Sequence, residues 1–167
     1  TYDPTSGGVP FRDVGTLTPL QFADLSADLP VGLGEQDVID YIRGARTFEG
    51  ETLFRERDAR TVLGDIVHSS PVLVGAPRSN WPNTAPFPTG SDNYETWATG
   101  QINRREAVYV GGNDGMLHGI WADVGNADSG VEFMGYVPNA IYDSTVGEGL
   151  NALTQQNYQH PYYVDLT

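Results

Sequence analysis

The chain has 167 residues, the length of one domain, and Gly 20 with Pro 11 make up nearly a fifth of it. Its formal charge is −13, from 22 acidic residues against nine basic ones, and every basic residue is an arginine. A field of that sign repels phosphate backbones and anionic lipid, which sets aside nucleic-acid and membrane-surface binding and favours solubility, cation binding or a saline exterior. Charged residues at 19% are too few for a disordered polyelectrolyte, and Cys 0 removes disulfides, thiolate metal sites and cysteine nucleophiles. No apolar run reaches the ~18 residues of a membrane span. The chain opens at Thr1 without a charged-then-apolar leader, so it is expected to be a processed or excised piece whose export signal lies upstream.

Residues 1–34 form a Pro- and Gly-rich lead-in with one helix. Thr18-Pro19-Leu20-Gln21 has the pattern of a capping box with proline at the first helical position. Phe22, Leu25 and Leu29 then share a helical stripe that Pro30 ends. A second helix is expected over 35–43, with Val38, Ile39 and Ile42 inward and Gly44 as its stop. Residues 45–60 mix Arg46, Arg55, Arg57 and Arg60 with Glu49, Glu51, Glu56 and Asp58, which predicts a solvated, self-neutralising loop.

From Leu63 the pattern turns to strands. Ile66 to Val74 is β-rich, and Pro71 within it implies a sheet edge or a bulge. Residues 76–103 form a long loop carrying Trp81, Tyr94 and Trp97. Three strands follow, over 107–110, 116–121 and 131–137, joined by Asn113-Asp114-Gly115 and by a turn from Asp123 to Gly130. Such short strands and tight turns make an antiparallel meander, with positive φ expected in the first turn. Helical turns are expected around Leu150 and Leu153, and one more strand over 162–164. Beyond Arg105 the chain holds no further cation, while 107–167 carries seven acids.

The run Val108-Tyr109-Val110-Gly111-Gly112-Asn113-Asp114-Gly115-Met116-Leu117-His118-Gly119-Ile120-Trp121 resembles a propeller blade of the quinoprotein type. Around it stand Asp40-Tyr41-Ile42-Arg43-Gly44, Leu63 to Pro77, Gly135-Tyr136-Val137-Pro138-Asn139-Ala140 and Tyr158-x-His160-x-Tyr162-Tyr163-Val164-Asp165. In this order they resemble the C-terminal domain of the PilY/PilC family, the tip-associated adhesins of type IV pili, over about residues 35–165. The resemblance implies a mainly β fold, a partial modified β-propeller with a few short helices, with 35–167 as its start. It also implies export to the pilus tip or cell surface, outer-membrane-associated or extracellular. Family members carry an EF-hand-like calcium loop further along the propeller, so calcium is a possible cofactor whose main site is expected outside this chain. In the family Tyr-Val-Asp continues into Gly-Ser-Pro and more blades. Here Leu166-Thr167 follow Asp165, and the chain is expected to be the leading part of a larger propeller.

The candidate chemistry is sparse. His68-Ser69-Ser70 sets a base beside hydroxyls, but neighbours on a strand point to opposite faces and no nucleophile-elbow pattern accompanies them. Asp123, Asn126, Asp128 and Glu132 offer four oxygen ligands within ten residues, a candidate site for a hard cation such as calcium. The spacing departs from an EF-hand, with Gly125 and Ala127 where ligands would stand, and a simple hairpin turn is the preferred reading. His118 and His160 are too far apart in sequence to argue a zinc site. Trp81, Tyr94 and Trp97 either form an interaction surface or pin their loop to the core.

The expected function is non-catalytic: pilus assembly, control of retraction, surface adhesion and twitching motility. The expected partners are minor pilins of the tip complex, a host or abiotic surface, and the rest of the propeller. The alternatives are a quinoprotein enzyme like the PQQ-dependent dehydrogenases, and a generic scaffold for envelope assembly.

Overall fold

A computed structural model of the chain describes residues 1–3 and 5–165. The fold is mainly β, with a two-stranded and a four-stranded sheet, neither closed on itself, and a few short helices. The chain divides into two compact units, described in turn. Leu166 and Thr167, which carry the expected departure from the family pattern, lie outside the described residues.

Unit 1 comprises Thr1–Ser70, Val110–His118 and the described part of Gly135–Thr167. It opens with β1 (Tyr2–Asp3) and β2 (Gly7–Gly8), paired antiparallel. Helix α1 (Pro19–Leu25) begins at the expected capping box: the Gln21 N–H donates to Thr18 Oγ1 at 3.2 Å, and the Thr18 N–H donates to Gln21 Oε1 at 3.0 Å. The helix is shorter than its stripe suggested. It ends at Ser26, leaving Phe22 40% exposed while Leu25 is buried. Helix α2 (Glu35–Ile42) falls where its period placed it, and Asp37 caps the Gly34 N–H at 2.8 Å. Leu25, Val38, Ile39 and Ile42 share one core with Phe54, Leu150 and Leu153. Burying each such side chain contributes about 2 kcal/mol.

The charge-dense segment 45–60 is not simply solvated. Phe54 is completely buried and meets the Tyr41 ring edge-on, with centroids 5.3 Å apart. This draws Arg57 down beside α2, where its guanidinium lies 3.8 Å over the Tyr41 ring and its Nε donates to Glu49 at 2.6 Å. The same fork donates to the carbonyls of Tyr41 and Ala45, so each of the three guanidinium nitrogens has an acceptor. Helical turns occur at Asn139–Ile141 and Asn151–Thr154, in the region that sequence placed them.

Unit 2 comprises Pro71–Tyr109 and Gly119–Met134. Most residues of the four-stranded sheet belong to this unit; its strands run β3 (Val72–Val74), β4 (Ala107–Gly111), β5 (Leu117–Trp121), β6 (Glu132–Tyr136), in chain order. β3 is antiparallel to β4, with Leu73 opposite Val108, and it sits at a sheet edge as Pro71 implied. The expected meander is present, and the Ala122 N–H to Glu106 carbonyl bond at 2.9 Å and the Trp121 N–H to Val131 carbonyl bond at 3.0 Å frame it. Gly119 makes room for an aromatic cluster, since a Cβ there would lie 2.9 Å from Phe133 Cζ. Phe133 stacks on Trp121 at 4.0 Å and meets Tyr109 edge-on at 6.0 Å. The long loop contains a helix the sequence reading did not place, α3 (Tyr94–Gly100), which Asn93 caps by accepting from the Thr96 N–H at 2.8 Å.

Candidate functional site

The three aromatics singled out in the long loop come together in unit 2. Tyr94 and Trp97 lie one turn apart on α3, with ring centroids 5.4 Å apart. Trp81 pairs with Phe87 at 5.2 Å. With Leu73, Arg78 and Arg104 they line an open groove of about 430 Å³. Trp81 is 50% exposed, Trp97 48% and Leu73 55%. The two tryptophans therefore present ring surface to solvent. Arg104 lies 5.8 Å from the Trp97 ring, and its Nε donates to the Gly75 carbonyl at 2.8 Å. Arg78 reaches Glu106 at 3.2 Å across the rim.

The oxygen-rich turn is organised around a residue that the sequence reading passed over. Arg105 donates to Asp123 at 2.5 Å and, through both terminal nitrogens, to Asp128 at 2.9 and 2.8 Å. Its plane lies 3.9 Å over the Trp121 ring. The second Asp123 oxygen accepts the Glu106 N–H at 2.6 Å. Hydrogen bonds from Arg105 hold the Asp128 carboxyl below its ordinary value, and the same bonds raise Arg105. Asn126 spends its backbone on the turn, accepting from the Ser129 N–H at 3.1 Å, and Glu132 stands on β6. The guanidinium thus supplies the positive charge between Asp123 and Asp128. Among the described residues, no three His, Asp or Glu side chains group as a metal site requires.

In unit 1 the side chains of His68, Asp114, His160 and Asp165 are engaged in structural contacts. The Asp165 carboxylate accepts three successive backbone N–H groups: Val67 at 2.7 Å, His68 at 3.0 Å and Ser69 at 2.8 Å. The Asn113 side-chain amide adds a fourth bond at 3.1 Å. Consecutive N–H groups turned toward one anion form a nest. Those N–H groups are thereby taken from any ladder, so Ile66–Ser70 is irregular and the β-rich reading holds only for Val72–Val74. Residues 162–164 are likewise not a strand. His68 packs on Tyr162 with centroids 4.9 Å apart, and among the described residues no hydrogen bond joins it to Ser69 or Ser70. The Asn113-Asp114-Gly115 turn has its positive φ at Gly115, +85°. Asp114 is more than a turn former. Its carboxylate accepts from the Gly64 N–H at 2.7 Å and meets His118 Nε2 at 3.0 Å. His160 pairs instead with Asp65, at 3.0 Å.

A four-stranded meander turned by Gly-Asn-Asp-Gly, with aromatics stacked across its strands, defines a β-propeller blade as the class of structure present. The family model of the PilY1 beta-propeller domain matches residues 63–167. The chain belongs to that family. It is 42% identical over 127 residues to a "Type IV pilus biogenesis factor PilY1 homolog" of Xylella fastidiosa (strain Temecula1), a match covering 76% of this chain and 10% of the relative. It is 42% identical over 132 residues to the "Type IV pilus biogenesis factor PilY1" of Pseudomonas aeruginosa (strain UCBPP-PA14), covering 77% and 10%. The factor of the same name from Pseudomonas aeruginosa (strain PAK) is 40% identical over 134 residues, again with 10% of its length matched. The chain therefore spans about a tenth of the curated relatives it matches. No solved structure matches it.

Proposed function

We propose that the chain is part of the propeller of a type IV pilus biogenesis factor. It acts without catalysis at the pilus tip in assembly, control of retraction, surface adhesion and twitching motility. The observation that carries this is its membership of the PilY1 beta-propeller family together with relatives named as pilus biogenesis factors. In this proposal the protein is exported and displayed at the cell surface, with minor pilins of the tip complex and a host or abiotic surface as partners. The groove of Trp81, Tyr94 and Trp97 is its contact surface, supported by the exposure of both tryptophans. The family's calcium loop is assigned outside residues 1–167. A structural role is supported by the engagement of His68, Asp114 and Asp165 in packing and backbone hydrogen bonds. Among the described residues no helix is long and apolar enough to cross a membrane.

Deleting the gene that encodes the chain, alone and together with the retraction ATPase, tests the proposal. Surface pili are expected to fall in the single deletion and to return in the double one; a single deletion with normal pili and normal twitching overturns it. Dye reduction by the protein with added PQQ and calcium is the test of the non-catalytic assignment. Any turnover there returns the quinoprotein alternative to first place.

A further inference from the structure

We infer that the groove of unit 2 receives an acidic peptide segment of a protein partner, its carboxylates on Arg104 and Arg78 and its apolar side chains on Trp81, Trp97 and Leu73. The inference rests on reading this groove as the contact surface. Its first support is the exposed apolar lining: three large side chains, each about half exposed, line one concavity. Exposed apolar surface gathered in one place marks an interaction site, and tryptophan and arginine are the side chains that dominate such sites.

Charge selects the occupant. The chain carries 22 acids against nine arginines, so carboxylates are in excess over the chain as a whole. Arg46, Arg57, Arg60 and Arg105 each reach one. At the groove the pattern changes. Among the described residues no carboxylate pairs with Arg104, whose bonds go to the Gly75 carbonyl. Arg78, with its side chain 81% exposed, has a single contact to Glu106. Two guanidiniums against one carboxylate leave the rim positive within a strongly negative chain. An acidic segment gains from that local charge, whereas a basic one is repelled by Arg78 and Arg104 as it approaches the tryptophans.

The backbone contributes less than the side chains. β3 is an open edge, but it is three residues long and lies between Pro71 and Pro77, which carry no N–H. Short edges next to prolines resist strand addition. Specificity is therefore expected from the aromatic faces and the two arginines.

The test is fluorescence anisotropy of the full chain with a short labelled peptide alternating Asp with Leu and Val, beside a counterpart carrying Lys in place of Asp. The acidic peptide is expected to bind, and to bind more weakly as salt rises from about 50 to about 300 mM. Arg104→Glu and Trp97→Ala are each expected to weaken it about tenfold with the thermal midpoint unchanged. Val31→Ser, at a fully exposed position of unit 1, is expected to leave binding as it was. No binding, equal affinity for the Lys peptide, or indifference to Arg104→Glu overturns the inference. So does an acidic polysaccharide that competes as well as the peptide, or self-association of the chain that the peptide does not reverse. Peptide binding in a protein whose deletion leaves piliation intact overturns the pilus proposal and leaves the chemistry of the groove standing.

Discussion

Asp165 takes part in a contact that joins distant parts of the sequence through a single carboxylate. Burial alone pushes that carboxyl up, but the N–H groups of Ser69, Val67 and His68 outweigh it and hold it below its ordinary 3.8. A depressed carboxyl stabilises the fold fully above its unfolded value, and that contribution disappears as the pH falls through the lower folded value. Asp165→Asn keeps the shape but removes the negative charge to which the nest of N–H groups donates. It is expected to lower the thermal midpoint at pH 7 by about 5 °C. The gap from the native chain should narrow as the pH drops below 3.8. Equal midpoints at neutral pH would show that the nest contributes nothing. The adjoining Gly111 has no room for a side chain, because a Cβ there falls inside contact distance of the Val164 carbonyl oxygen. That crowding explains why the residue before the tight turn is glycine.

At the scale of elements, the 45–60 segment and the Asp123–Glu132 turn both place an arginine where its charge is shared among several acceptors. Arg57 and Glu49 are about one-tenth exposed at the side chain, so removing one leaves the other charged and largely dry. Arg57→Met is expected to destabilise unit 1 by about 3 kcal/mol, measured by urea unfolding. Glu49→Gln with Arg57→Met should recover part of that loss, because Glu49 is then no longer a largely buried carboxylate left with Arg46 as its one ion-pair partner. In the turn, a cation competes with a guanidinium already bonded to both aspartates. Calorimetric titration of the native chain with calcium is expected to show no heat from Asp123, Asn126, Asp128 and Glu132. Calcium heat that Asp128→Ala abolishes would reverse this and restore the cation reading.

For the whole molecule, −13 over 167 residues makes self-repulsion the dominant long-range term. Three of the arginine–carboxylate pairs are exposed on both sides, so each contributes little. Screening of repulsion therefore outweighs screening of attraction. Raising sodium chloride from about 10 to about 150 mM shortens the Debye length from about 30 to about 8 Å and is expected to raise the thermal midpoint by a few degrees. A fall in the midpoint would show that attraction dominates. At matched ionic strength, calcium chloride should do no better than sodium chloride if the turn is closed by Arg105.

Features that depend on neighbours within a few residues can be read from the sequence. The Thr18–Gln21 capping box, the inward stripe of α2 and the meander turned at Gly115 were all legible, because helix period, strand alternation and turn chemistry act over that range. So were the family motifs that the match over residues 63–167 supports. Which groups meet across longer separations is set by the fold. Asp165 finds residues 67–69, Arg105 finds Asp123 and Asp128, and Trp81 shares a groove with Trp97 and Arg104. Spacing in sequence carries no record of such partners. A carboxylate looks the same in a list of residues whether it waits for a cation, salts an arginine or fills a nest, and the fold alone sets the distances that distinguish these states.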